Sequence, residues 1–96
     1  MKHCILAKFL PEKTAEEKKI LTDDAEALFL KLNAMQGIHG VRVLRNCVDR
    51  ANRYDLMIEI DMDRDALERY DVSPEHLEWK ERFGSLLEKK AIFDHE

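Results

Sequence analysis

The chain has 96 residues, of which 45% are hydrophobic and 38% are charged, and its formal net charge at pH 7 is −4. This length and composition fit one globular domain and exclude a disordered chain. Positive residues are scattered among acidic ones and no apolar run is long enough to span a bilayer, so we expect neither nucleic acid nor a membrane as a partner.

The start of the chain resembles a signal peptide only weakly. Lys8 interrupts the first apolar run, and Pro11-Glu12-Lys13 ends it with no small-residue cleavage site after it. We therefore expect a cytoplasmic protein. Cys4 and Cys47 form neither a disulfide framework nor a zinc-ligand spacing, so we predict two small buried side chains and expect no metal and no cofactor.

Hydrophobic periodicity predicts four strands and three helices. Thr14 and Glu17 match a capping box at the start of the longest helix, and Gly37 follows its predicted end. The predicted strands cover residues 3–10, 41–48, 54–61 and 89–94, and the predicted helices cover 15–35, 64–71 and 74–85.

The order of these elements is β-α-β-β-α(α)-β, which is typical of the α+β, ferredoxin-like fold. One antiparallel sheet then carries the helices on one face, and the third strand lies between the first and the second. Both faces of the first strand are largely apolar, so the face without helices also needs cover. We expect a second copy of the chain to provide it, in a homodimer formed through the sheet.

The segment from Tyr70 to His76 carries the densest chemical signal. Ser73 is a good helix N-cap and Pro74 a good first helical residue, so one helix must end and another begin there. The break places a phenol at the end of one helix and an imidazole in the first turn of the next. His3, on the strand face that should meet the helices, is the third candidate.

These three side chains have both a catalytic and a structural interpretation. Imidazole can accept a proton near pH 7, so His76 could be a general base, with Tyr70 or His3 donating to a developing enolate oxygen. Alternatively, His76 only packs at its helix terminus, Tyr70 is a core residue with its hydroxyl at the rim, and His3 bonds a backbone carbonyl.

Several short motifs, in this order and spacing, resemble the stress-responsive α/β-barrel (Dabb) family over the whole chain. They are Lys2-His3, Arg45-Asn46, Tyr54-Asp55, Tyr70 with Pro74-Glu75-His76, and Phe93-Asp94. The resemblance implies ferredoxin-like subunits that pair, sheet against sheet, into a dimeric α/β barrel.

The resemblance also implies roles for individual residues. His3, Tyr70 and His76 match the catalytic apparatus of the family's plant polyketide cyclase that makes olivetolic acid, in which the histidine matching His76 is the base of an aldol closure. The family usually has histidine at the position of Ser73, and that cyclase has a pocket tyrosine near the position of Ala25. Its long-chain polyketide specificity is therefore not expected here.

The sequence thus predicts a pocket between sheet and helices, with His3, Tyr70 and His76 as catalytic residues acting on a small carbonyl compound. The predicted lining is Ile5, Ala7, Phe9, Leu28, Trp79 and Phe83. Two alternatives remain: a non-catalytic stress-responsive dimer that binds a small apolar ligand or a partner, and a cofactor-free monooxygenase or isomerase, since related dimeric barrels resemble these too. An open pocket with His76 and the Tyr70 hydroxyl in hydrogen-bond reach would favour an enzyme, whereas a pocket walled off by Trp79, Phe83 or Met35 would favour the non-catalytic dimer.

Overall fold

The computed structural model describes residues 1–96 and contains four strands and three α-helices. The elements are β1 (Lys2–Phe9), α1 (Ala15–Leu30), β2 (Ile38–Arg45), β3 (Leu56–Met62), α2 (Leu67–Asp71), α3 (Pro74–Phe83) and β4 (Leu87–His95). Short 3₁₀ turns occupy Lys31–Ala34, Arg64–Ala66 and Gly84–Leu86. None of the helices combines the length and the apolar character needed to cross a bilayer.

The four strands form one antiparallel sheet in the order β2-β3-β1-β4. This order confirms the predicted ferredoxin-like topology, in which the third strand separates the first two. In this register His3 lies opposite Asp94 of β4 and Ile60 of β3. The first and last strands are therefore neighbours, and side chains from both ends of the chain share one face of the sheet.

The core lies between the sheet and the helices. Alternate residues of β1 and β3 are buried on that face, while α1 and α3 meet where the Phe29 and Trp79 rings pack edge to face, 5.2 Å between centroids. The core cluster comprises Ile5, Ala7, Phe9, Ala25, Leu28, Phe29, Leu32, Ile38, Leu56, Ile58, Ile60, Met62, Ala66, Tyr70, Trp79 and Phe83. Burying this much apolar surface is the main source of the domain's stability.

Helix α1 begins as predicted and ends earlier. The Thr14 side chain accepts from the Glu17 N–H while the Glu17 carboxylate accepts from the Thr14 N–H, which is the predicted capping box. The helix ends at Leu30 rather than Met35, because the next four residues tighten into a 3₁₀ turn. Gly37 then adopts φ of +90°, where an added Cβ would lie 2.9 Å from the Ala66 Cβ.

Strand β2 differs from the prediction at both ends. It begins at Ile38, because an irregularity in pairing between Ile38 and Gly40 lets the strand extend past the glycine. His39 is therefore a strand residue, although it lies outside the predicted strand of residues 41–48. The strand ends at Arg45, and the Asn46 side-chain amide then bonds both the N–H and the carbonyl of Val48 in the loop that follows.

The sheet face without helices is partly apolar. Leu6, Leu44, Met57, Ala91 and Phe93 share it, and Phe93 is 63% exposed. Cys4 is buried on this face, whereas Cys47 is exposed, so the prediction that both cysteines are buried is wrong for Cys47. This face provides the apolar surface that motivated the expected homodimer.

Candidate active site

A cavity of about 310 Å³ lies between strands β1 and β4 and helices α2 and α3. Strand β4 is at the edge of the sheet, and the helices leave much of it uncovered, so the cavity opens there. Its lining is His3, Ile5, Leu67, Tyr70, Asp71, His76, Trp79, Lys80, Lys90 and Ile92. All three predicted catalytic residues therefore line one cavity.

The predicted helix break positions two of these side chains. Ser73 has extended backbone angles (φ −68°, ψ 151°), its hydroxyl accepts from the His76 N–H at 3.1 Å, and Pro74 begins α3. The same hydroxyl donates to the Tyr70 carbonyl at 2.7 Å. These bonds confirm Ser73 as the N-cap and hold the end of α2 against the start of α3.

The three rings are in sequential contact. The Tyr70 and His76 rings lie 4.6 Å apart between centroids, and the His3 ring meets Tyr70 edge-on at 5.2 Å. Tyr70 thus lies between the two imidazoles. A molecule in the cavity would therefore lie beside all three residues.

The hydrogen bond made by His76 selects its tautomer. Nδ1 lies 2.9 Å from the Asp71 carbonyl oxygen, which can only accept, so Nδ1 carries the proton in the neutral ring. Nε2 then has a free lone pair. His76 is half-buried and lines the cavity, so this nitrogen has the chemistry of a general base.

The Tyr70 hydroxyl is buried and has no hydrogen-bond partner. The expectation that it reaches the rim is therefore wrong, because the residue is only 1% exposed. Burial raises the pKa of this phenol above its ordinary value of 10.0, and the nearby charge of Asp71 raises it further. Tyr70 consequently stays protonated at neutral pH and can donate to an oxyanion.

His3 is held by a carboxylate that sequence reasoning did not assign to the site. Its Nδ1 lies 2.5 Å from Asp94 Oδ1, across the β1–β4 ladder, and the carboxylate accepts this bond. The expected bond to a backbone carbonyl is therefore replaced by an Asp–His pair. This pair fixes the orientation of the ring that contacts Tyr70.

The predicted apolar lining divides into two groups. Ile5 and Trp79 line the cavity as well as belonging to the core, whereas Ala7, Phe9, Leu28 and Phe83 belong to the packed core alone. Leu67, Asp71, Lys80, Lys90 and Ile92 complete the cavity and were not predicted. Strand alternation could have grouped Lys90 and Ile92 with Asp94, but the pairing with β1 that brings them to His3 is a long-range property.

A larger groove, of about 580 Å³, lies between the start of α1 and residues 45–55. Its cations are largely neutralised, since Lys18 pairs with Asp55, Lys19 with Asp23, and Arg45 with Asp23 and Glu26. It contains none of the predicted catalytic residues. The smaller cavity is therefore the better candidate for chemistry.

The sheet order and the one-sided helices define the chain as an α+β, ferredoxin-like protein. The family model described as "Stress responsive A/B Barrel Domain" matches residues 1–96. The chain belongs to this family, Dabb.

Solved structures share the fold at low sequence identity. A dimeric ferredoxin-like protein of unknown function from Bacteroides fragilis is 22% identical, with a TM-score of 0.83, over 99% of this chain and 93% of its own. A Dabb family protein from Mesorhizobium loti is also 22% identical, with a TM-score of 0.68 and the same coverages, 99% and 93%. A hydroxynitrile lyase from Passiflora edulis is 13% identical, with a TM-score of 0.72, over 98% and 89%. No protein with a curated functional description matches the sequence significantly.

Proposed function

We propose that this protein catalyses cofactor-independent acid/base chemistry on a small carbonyl compound, of the cyclase or aldol type. His76 is the general base, Tyr70 donates to the developing oxyanion, and His3 orients Tyr70 or supplies a second donor. One observation carries the proposal: His76, whose Nδ1 bonds the Asp71 carbonyl oxygen, and Tyr70, whose buried hydroxyl has no partner, both line one cavity.

The proposed step balances within the site. His76 Nε2 removes a proton from the carbon next to the carbonyl, and the C–H electron pair moves to the carbonyl oxygen to give an enolate. The Tyr70 O–H donates a hydrogen bond to that oxygen and so gains the partner that it lacks in the free protein. The enolate carbon then attacks a second carbonyl, a C–C bond forms, and the new alkoxide takes the proton back from His76. Return of the proton to another carbon would instead give isomerisation.

The volume and lining favour a small substrate. At about 310 Å³ the cavity is at the lower end of ligand sites, and Ile5, Leu67, Trp79 and Ile92 supply its apolar walls. The hydroxynitrile lyase with this fold shows that the architecture can support an enzyme. These features support the carbonyl substrate and give no support to a long-chain ligand.

We also propose that the protein works as a homodimer joined through the open sheet face. Three structural relatives are described as dimeric. Phe93, the most exposed residue on the apolar part of this face, would be covered by a second copy. The cavity lies on the opposite face of the sheet and would remain open in such a dimer.

The test is deuterium exchange at the α-carbon of small carbonyl probes, followed by NMR in D₂O. Butanone and 2-oxobutyrate serve as probes, and we expect the protein to accelerate exchange over buffer. His76→Gln should lower the rate roughly 100-fold or more, the usual scale of a general base. His95→Gln is the matched control, since His95 lies on β4 outside the cavity.

Two results would overturn the proposal. Exchange that is equally fast in His76→Gln and in the unmodified protein would exclude His76 as the base. Exchange no faster than in buffer for either probe would favour the non-catalytic interpretation, in which the dimer only binds a ligand.

A further inference from the structure

Two lysines converge on the candidate active site from different elements. Lys80 lies on α3, one helical turn after His76, so the two side chains share a face of that helix. Lys90 lies opposite Ala7 in the β1–β4 register, on the sheet face that carries His3. Both line the cavity.

Neither ammonium group is neutralised within the chain. Nine of the other basic side chains pair with a carboxylate within 4.0 Å, but Lys80 and Lys90 do not. Asp71 is the only acidic residue in the cavity lining, and the neighbouring Asp94 is bonded to His3. Two unpaired ammonium groups thus line the cavity on a chain whose net charge is −4.

We infer that the substrate of this cavity carries a carboxylate in addition to its carbonyl group, as a small oxo acid does. The inference rests on the proposed function and narrows its substrate class. The carboxylate lies between Lys80 and Lys90, and the carbonyl group lies beside Tyr70 in the cavity lining. Because Lys80 is one turn beyond His76 on α3, an anion held there directs the rest of a short molecule towards the imidazole.

The two ends of the cavity suit such a molecule. Ile5 and Trp79 form an apolar wall beside the phenol, and both lysine side chains are exposed. A carboxylate therefore keeps its contact with water and gains two cations, while the carbonyl enters the drier part. This arrangement avoids the cost of burying an unpaired charge.

The experiment measures binding separately from turnover. ¹⁵N-labelled protein is titrated with sodium 2-oxobutyrate and with butanone, and dissociation constants are obtained from the amide shifts of cavity residues. We expect 2-oxobutyrate to bind more tightly than butanone. Lys80→Gln and Lys90→Gln should each weaken oxo-acid binding about 2- to 5-fold, on the scale of exposed charge pairs, and leave butanone binding unchanged. Added salt should weaken the binding of 2-oxobutyrate and leave that of butanone unchanged.

Lys89→Gln is the matched control. Lys89 is the neighbour of Lys90 in β4, and its substitution removes the same charge. Its side chain lies opposite Lys8 on the other sheet face. The inference is overturned if 2-oxobutyrate does not bind, if both probes bind equally, or if Lys89→Gln weakens the oxo acid as much as Lys90→Gln does. Lysine-dependent binding without α-carbon exchange would uphold the inference and refute the proposed base.

Discussion

The hydroxyl of Ser73 donates a hydrogen bond to the carbonyl oxygen of Tyr70 across 2.7 Å, and it also accepts one from the N–H of His76. One side chain therefore sets the spacing between the phenol and the imidazole. At the position where the family usually has histidine, this chain has a buried residue that caps α3.

Ser73→Ala should lower the free energy of unfolding by about 1–2 kcal/mol, because α3 loses its N-cap and a buried hydrogen bond disappears. The Tyr70 carbonyl keeps its bond from the Ser73 N–H, so the fold should survive. Urea denaturation measures the loss, and Ser73→Thr, which can make both bonds, is the control. Equal stability of Ser73→Ala and the unmodified protein would contradict this role.

Tyr70→Phe should separate stability from function. The hydroxyl is buried without a partner, so its removal should leave the free energy of unfolding unchanged or raise it by up to about 1 kcal/mol. Its raised pKa means that the unfolded chain releases the phenol proton first, so the unmodified protein should lose stability above about pH 10. Tyr70→Phe should lose less stability than the unmodified protein above that pH. It should also catalyse α-carbon exchange more slowly. A clearly destabilised variant would indicate a hydrogen bond that the structure does not contain.

Phe93→Asp should shift the protein from dimer to monomer, because it places a charge on the exposed apolar surface of the proposed interface. We expect the dissociation constant to rise at least about tenfold, measured by sedimentation over a range of concentrations. Ile20→Asp is the control, since Ile20 is also exposed, at 54%, but lies on α1. An unmodified protein that sediments as a monomer at about 10 μM would refute the dimer.

The ion pair between His39 and Asp63 should make stability pH-dependent. Nε2 lies 2.7 Å from the carboxylate, whose hydrogen bond and charge raise the pKa of His39 from 6.5, while the same bond lowers that of Asp63 from 3.8. The pair should therefore stabilise the protein most between about pH 4 and 6.5. Its contribution should fade as pH rises through the raised pKa of His39, or falls through the lowered pKa of Asp63. Across this range His39→Gln should have a lower free energy of unfolding than the unmodified protein, and the difference should shrink above pH 6.5 and with added salt. A difference that does not change with pH would contradict the assignment.

Local chemistry made most of the fold predictable. The capping box, the Ser73-Pro74 break and the alternation of β3 each depend on residues that are close in sequence. The order of the elements then limits the possible topologies. The errors arise where contacts between residues distant in sequence determine the local structure. The irregular pairing near Gly40 made His39 a strand residue, and the register between β1 and β4 brought Asp94 and Lys90 to the cavity.

The predicted pocket shows the same limit. Phe9 and Ile5 share a strand face, so alternation cannot distinguish them. Both belong to the core, and only the packing of the helices, tight over one end of β1 and open along β4, lets Ile5 also line the cavity.

The hydrogen bond between His3 and Asp94 joins residues 91 positions apart. Contacts this distant in sequence carry a high entropic cost of loop closure and raise the contact order of the domain. A partly folded chain could already have its helices and the β2–β3 ladder and still lack the cavity. Ligand binding would then report completed folding, because only molecules in which β4 has joined β1 have a site.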